Sequence, residues 1–198
     1  MYIPKLFQMP EQDYPGFIQK FPLAFLIGAD GKSVTHCPLM YFPDSHQLIG
    51  HLARGNQVLE TLEQNPEITI MFTGHQGYIS ASWYSNDQEV PTWNYSSLEI
   101  SGNVTLVGDD QALEILTLLT DQFEAMVGGN WTIEKLTDNK RQAMLKGIQA
   151  FYIDINNWQG KAKLSQNKPD QVKDELLAHI NQQAASNYKE LAGDMSHD

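Results

Sequence analysis

The chain has 198 residues, 41% hydrophobic and 10% aromatic, which suits one core-forming domain and excludes a disordered chain. Its formal net charge is −11, from 13 Lys and Arg against 24 Asp and Glu. That balance makes direct DNA binding doubtful, because phosphate neutralisation supplies most of the affinity of DNA readers.

Cys37 is the single cysteine, so no intramolecular disulfide can form. No apolar run nears the roughly 18 residues of a membrane span. The opening MYIPKLFQMP lacks the charged and apolar regions of a signal peptide. The expected address is the cytoplasm, with no membrane contact.

In chain order, Glu11 to Lys20 predicts a short helix stopped by Pro22. LAFLIG (23–28) predicts a buried strand, and Asp30-Gly31 a hairpin turn. The return strand runs from Lys32 towards Phe42, with Pro38 marking an edge or a bulge. After a turn at Asp44 to His46, QLIGHLA predicts a third strand. Arg54-Gly55-Asn56 interrupts it, and QVLETLEQN follows at helical spacing until Asn65-Pro66.

EITIMFTG (67–74) and YISASW (78–83) predict two more strands, with Ser85 to Glu89 as a polar loop. Pro91 then opens a long strand, VPTWNYSSLEISGNVTL, in which Thr92, Asn94, Ser96 and Leu98 alternate with Trp93, Tyr95, Ser97 and Glu99. From Gly108 the period becomes 3.6: a helix capped by Asp109 or Asp110 and ended by Gly128-Gly129. A second helix covers Asp138 to Lys146, followed by the alternating strand IQAFYIDI. Trp158 to Pro169 is expected as a loop, Asp170 to Tyr188 as one polar helix, and the last ten residues as frayed. Six or seven sequential strands with short turns point to an antiparallel sheet closing into a barrel.

Three stretches carry chemistry. In HLARGNQ a strand ends at Arg54 and a helix starts at Gly55-Asn56. Helix-start N–H groups and a guanidinium suit a phosphate there, with His51 one alternating step from Ala53. Taken alone, these residues fit an ordinary helix start with a solvated arginine better. Tyr78, Trp83, Tyr84, Trp93 and Tyr95 supply flat faces for a planar ring, with Thr92 and Asn94 for its polar rim. A core cluster or a dimer interface would use the same aromatics. KLSQN (163–167) forms a polar loop that closes over a ligand or partner, or is simply solvated. The six histidines show no metal spacing, although His36 and His51 are placed to face each other across a hairpin. Cys37 reads as a small strand residue.

In this order, MYIPKLFQMP, VTHCPLM, GHLARGNQ, YISASWY, VPTWNY, Thr120-Asp121 and KLSQNKP resemble the PaiB family. These are FMN-binding negative transcriptional regulators with the flavin split-barrel fold shared with pyridoxamine phosphate oxidase. The resemblance spans Met1 to about Pro169 and implies a mainly β fold with peripheral helices. An antiparallel FMN-binding split β-barrel would occupy residues 1–170, and a C-terminal helix and tail residues 171–198. It implies a homodimer with FMN in a groove at the subunit interface. The cofactor-binding residues it implies are Thr35, His36, Cys37 and Pro38, then His51, Leu52, Ala53, Arg54 and Asn56. Thr92, Trp93, Asn94, Tyr95, Lys163, Ser165, Gln166 and Asn167 would complete the groove.

No metal and no particular catalytic residue is implied. Phe123 stands where relatives carry a histidine, Ala162 where a tryptophan is common, and Gly55 where alanine is usual; the loss at Ala162 removes a lid over the flavin. The alternative function is a flavin-dependent oxidoreductase, because the same barrel supports oxidases, reductases and haem-degrading proteins.

Overall fold

Alternation sets the strands. β1 (Leu23–Gly28) buries Ala24, Leu26 and Gly28, then turns at Gly31, whose φ of 65° is open to glycine at no steric cost. Asp30 Oδ1 accepts the N–H groups of Lys32 and Ser33, at 3.0 Å each, and fixes the turn. β2 (Val34–Pro38) returns antiparallel and lies at the sheet edge, where Pro38 needs no partner for a missing N–H. The single return strand expected to Phe42 is two strands: the Leu39 N–H still donates to the Pro22 carbonyl in line with the β1–β2 register, and from Met40 the chain pairs with residues 47–49 instead, as β3 (Met40–Phe42). β4 (Gln47–Ala53) and α2 (Gln57–Gln64) match the sequence reading.

The computed structural model describes residues 1–86, 88–183 and 186–196. Its remaining elements are α1 (Tyr14–Lys20), β5 (Glu67–Ile79), β6 (Thr92–Leu106), α3 (Asp109–Met126), α4 (Asp138–Gly147), β7 (Ile148–Lys163), α5 (Asp170–Asn181) and α6 (Ser186–Ser196). The strands form one antiparallel seven-stranded sheet in the order β2-β1-β5-β6-β7-β4-β3. The expected closure is not made. β2 and β3 end the ladder, and the link from β2 to β4 is a side-chain contact, Cys37 Sγ donating to the His51 carbonyl at 3.3 Å.

Several expectations change. The segments 67–74 and 78–83 are not two strands: β5 runs unbroken through Gly74 and Gly77, then a 3-10 turn takes Ala81–Trp83. β7 continues to Lys163, so the first part of the expected 158–169 loop is strand. Gly108, not Asp109 or Asp110, caps α3; the two aspartates sit in its first turn, where they meet the positive end of the helix dipole. Asp170 to Tyr188 is not one helix but parts of two, with residues 184 and 185 outside the described residues. The last ten residues are not frayed as far as Ser196, because Leu191, Ala192 and Met195 are buried. His36 and His51 are not hairpin partners: His36 pairs with Phe25 and His51 with Ala150.

The chain divides into two compact units. One holds Pro15–Phe72 and Glu99–Trp158, the other Met1–Tyr14, Thr73–Leu98 and the chain from Gln159. In the first, α3 and α4 lay Ile115, Leu116, Leu119 and Leu145 against Ile49 of β4 and Ala150 of β7. In the second, α5 and α6 pack Leu176, Ile180, Leu191 and Met195 against Ile79 and Tyr84. Both cores come from helices that show one apolar stripe to a strand.

Candidate functional site

In the first unit the junction of β4 and α2 gathers polar groups. Asn56 is the helix cap: its Oδ1 accepts the Val58 N–H at 3.0 Å, and its Nδ2 donates to Thr35 Oγ1 at 3.0 Å. Thr35 of β2 and the α2 start are thereby brought together. Arg54 lies beside them, yet it is already engaged. Its Nη1 donates to Gln149 Oε1 at 2.9 Å, and its Nη2 is 3.6 Å from Asp109 Oδ1. Both charged side chains are about half exposed, so the pair is weak and the guanidinium remains open to another acceptor.

His51 is different in kind. Its Nδ1 is buried and has no hydrogen-bond partner, and burial lowers its pKa below the ordinary 6.5. The imidazole is neutral at physiological pH. Cys37 is fully buried, and that burial pushes its thiol up to about 12, so it is neither nucleophile nor thiolate ligand. Leu52 is core, whereas His36 is exposed and packs on Phe25 with ring centroids 4.2 Å apart. Pro38, half-buried, ends β2, and Ala53, exposed, ends β4. Among the described residues no three His, Cys, Asp or Glu gather as a metal set.

In the second unit a cavity of about 150 Å³ is lined by Thr92, Asn94, Lys163, Ser165, Asn167 and Lys168, with Tyr84, Glu89, Val90 and Phe7. Lys163 Nζ donates to Thr92 Oγ1 at 2.5 Å and to the Trp93 carbonyl at 2.6 Å. Burial, with Lys161 nearby, lowers its pKa. Asn94 has no exposed surface. Its Nδ2 donates to Ser165 Oγ at 2.9 Å and to Met195 Sδ at 3.4 Å. Ser165 adopts φ 65°, which turns the chain after β7. Lys168 is paired with Glu89. Two lysines against one carboxylate leave the cavity net positive, with amide and hydroxyl donors around it.

The expected aromatic surface is only partly present. Trp93 is 54% exposed and meets Tyr78 edge-on, with centroids 6.0 Å apart. Tyr95 lies beneath Lys161 Nζ, 5.2 Å from the ring centroid. Tyr84 is buried, and Trp83 stacks on His179, so these two belong to the packing of the C-terminal helices. Gln166 does not line the cavity with Lys163, Ser165 and Asn167, because its amide folds back onto the Ala162 carbonyl and the Leu164 N–H. The sequence reading missed Glu89, Lys168 and Phe7 as cavity neighbours. Lys168 had a signal, being grouped with Lys161 and Lys163; Glu89 and Phe7 are brought in by tertiary packing.

The donors present suit a flavin. In the second unit hydroxyls, amides and lysines match the carbonyl and nitrogen edge of its ring; in the first, taken by itself, Arg54 with the α2 start matches a phosphate.

Residues 1–157 match the family model described as "Putative FMN-binding domain". The chain is 31% identical over 197 residues, 97% of its length and 95% of the relative's, to protease synthase and sporulation protein PAI 2 of Bacillus subtilis, the PaiB protein. It is 28% identical over 153 residues to an uncharacterized protein of Saccharomyces cerevisiae, covering 63% of this chain and 90% of that one. Among solved structures, a conserved hypothetical protein of Mycobacterium tuberculosis superposes with a TM-score of 0.62 at 13% identity, covering 85% of this chain and 94% of that one. An FAD and heme binding protein of Mycobacterium smegmatis gives 0.60 at 19%, covering 86% and 79%. These superpositions show the fold, a flavin split barrel with helices outside an unclosed antiparallel sheet. The chain belongs to the PaiB family of FMN-binding-domain proteins.

Proposed function

We propose that this protein is an FMN-binding regulator of the PaiB type, acting as a homodimer in the cytoplasm and lowering expression of its targets without gripping DNA by itself. The observation that carries the flavin reading is the net-positive, donor-lined cavity around Lys163 in a chain of this family. Thr92, Trp93, Asn94, Tyr95, Lys163, Ser165 and Asn167 are proposed contacts for the ring edge. Thr35, His36, Arg54 and Asn56 are proposed for the phosphate, with Cys37, Pro38, His51, Leu52 and Ala53 shaping that surface through their backbone. Gln166, facing away, is proposed to hold the loop rather than the cofactor.

When bound, FMN supplies reversible electron and hydride exchange. The chain's own residues bind and orient it. Lys163 presents a cation whose position is set by Thr92 and the Trp93 carbonyl. Asn94, held by Ser165 and Met195, adds a fixed amide.

Dimerisation is supported by exposed apolar residues, Leu23 at 56% and Val34 at 53% in one unit and Trp93 at 54% in the other. Burial of Tyr84 removes it from that argument. The net charge of −11 supports a regulator that works through a partner or through flavin chemistry.

Fluorescence titration of FMN and riboflavin against wild type and Arg54→Ala tests the phosphate assignment. FMN affinity is expected to fall by about 1 kcal/mol in the variant, less than a fully desolvated pair would lose because Arg54 is shared with Asp109. Riboflavin is expected to be unaffected. Equal losses for both ligands would make Arg54 a support of the fold.

A further inference from the structure

The segment Ala162–Asn167 has two faces. Lys163, Ser165 and Asn167 line the 150 Å³ cavity described above, while Ala162, Leu164 and Gln166 line a second cavity of about 490 Å³ in the same unit. β7 ends at Lys163 and the chain turns at Ser165, yet residues of this stretch line the two cavities in alternation, so it forms a wall between them.

The walls of the second cavity are fixed. The N-terminal segment is held by the Gln8–Lys161 bridge and by the Met9 N–H donating to the Gly160 carbonyl at 3.0 Å. Gln166 is locked across the loop: its Nε2 donates to the Ala162 carbonyl, and its Oε1 accepts the Leu164 N–H at 2.7 Å. Met195 is set by its contact with Asn94 and by the burial of α6. A preformed space of this size is in the range of small-molecule sites.

Its chemistry is opposite to that of its neighbour. Leu6, Met9, Pro10, Leu164 and Met195 give an apolar lining. The charged groups are two carboxylates, Asp13, which is exposed, and Asp194, whose Oδ2 is 3.0 Å from His75 Nδ1. No lysine or arginine lines it among the described residues. An anion would meet only like charge here, whereas an ammonium at Asp13 leaves its apolar body against Leu164 and Met195.

We propose that this cavity is a binding site for a small amphipathic organic cation, an aliphatic or aromatic body bearing one ammonium group. The ligand lies against the face of Ala162–Asn167 opposite Lys163, so it is separate from whatever the Lys163 cavity holds.

Isothermal titration of the full chain with n-hexylammonium, hexanoate and hexanol at equal ionic strength tests this. Saturable hexylammonium binding is expected, at least about tenfold tighter than hexanoate. Asp13→Asn, a change at an exposed position, should weaken hexylammonium several-fold and leave hexanol unchanged. Ala162 lines this cavity and not the Lys163 one, unlike the lid position that the resemblance implies, so Ala162→Trp fills it and should abolish both; Asp13→Asn keeps the test standing if that variant folds poorly. The proposal is overturned by an absence of saturable hexylammonium binding, by hexanoate binding as tightly, or by either well-folded variant binding like wild type. FMN titration of Asp13→Asn should match wild type; a matching loss of both ligands would mean a single site and contradict the separation.

Discussion

The hydroxyl of Tyr14 accepts the backbone N–H of Gly160 at 2.8 Å, and the Tyr14 ring occupies the space that a side chain at position 160 would need. Tyr14 is almost wholly buried. Tyr14→Phe leaves that buried N–H unpaired and should destabilise the protein by about 1–3 kcal/mol. Gly160→Ala places a Cβ 2.5 Å from Tyr14 Cε1 and should cost a similar amount, about 1–3 kcal/mol, through overpacking. Urea denaturation midpoints check both; an unchanged midpoint for Gly160→Ala would mean the Tyr14 ring is free to move.

The C-terminal helix α6 is part of the core. Leu191 has no exposed surface and sits with Ile79, Leu176 and Ile180. Leu191→Ala should cost about 2–4 kcal/mol. A dispensable tail would show no change in melting temperature.

That contrast shows where the sequence was readable. β4 and α2 followed from alternation that ends at Ala53, and from Asn56 and Asn65 marking the helix limits. The buried face of β6 from Asn94 to Val104 was equally plain. Gly74 and Gly77 looked like strand breaks, yet at Gly77 the missing side chain serves a packing contact. A Cβ there would lie 2.7 Å from Leu191 and 2.8 Å from Tyr188, a demand that exists only once α6 has docked. α6 itself was missed because Leu191, Ala192 and Met195 are few among polar residues and gain meaning only against Ile79. The candidate groups were legible as residue types at β4–α2 in one unit, and at Thr92–Tyr95 and KLSQN in the other. The folding back of Gln166 and the ion pair of Lys168 with Glu89 were not, since one depends on the turn at Ser165 and the other on a loop packed from afar.

His51 makes stability depend on pH. Burial holds its pKa below 6.5 in the folded chain, so the unfolded chain takes up the proton first as pH falls. The contribution is whole above about 6.5, and it is lost as pH falls through the depressed folded value. Melting temperature should decline from pH 7.5 to pH 5, and His51→Asn should flatten that slope. An identical slope in the variant would assign the acid sensitivity to other groups.

Direct operator binding is not expected. Specific complexes usually reach about 10⁻⁸ M or tighter at physiological salt, and a chain of net charge −11 repels the duplex at long range. Fluorescence anisotropy with a promoter fragment, with and without FMN, should show no nanomolar, salt-sensitive binding. Such binding would restore direct repression as the mechanism.

The central claim, that this chain is a flavoprotein of the PaiB family, is met most directly by mixing the purified protein with excess FMN, desalting it and recording its visible spectrum. The donor set around Lys163 and the family membership predict FMN co-eluting with the chain in stoichiometric amount, with a shifted flavin band and quenched fluorescence. FMN recovered wholly in the small-molecule fraction, with affinity weaker than about 1 mM by titration, would contradict it.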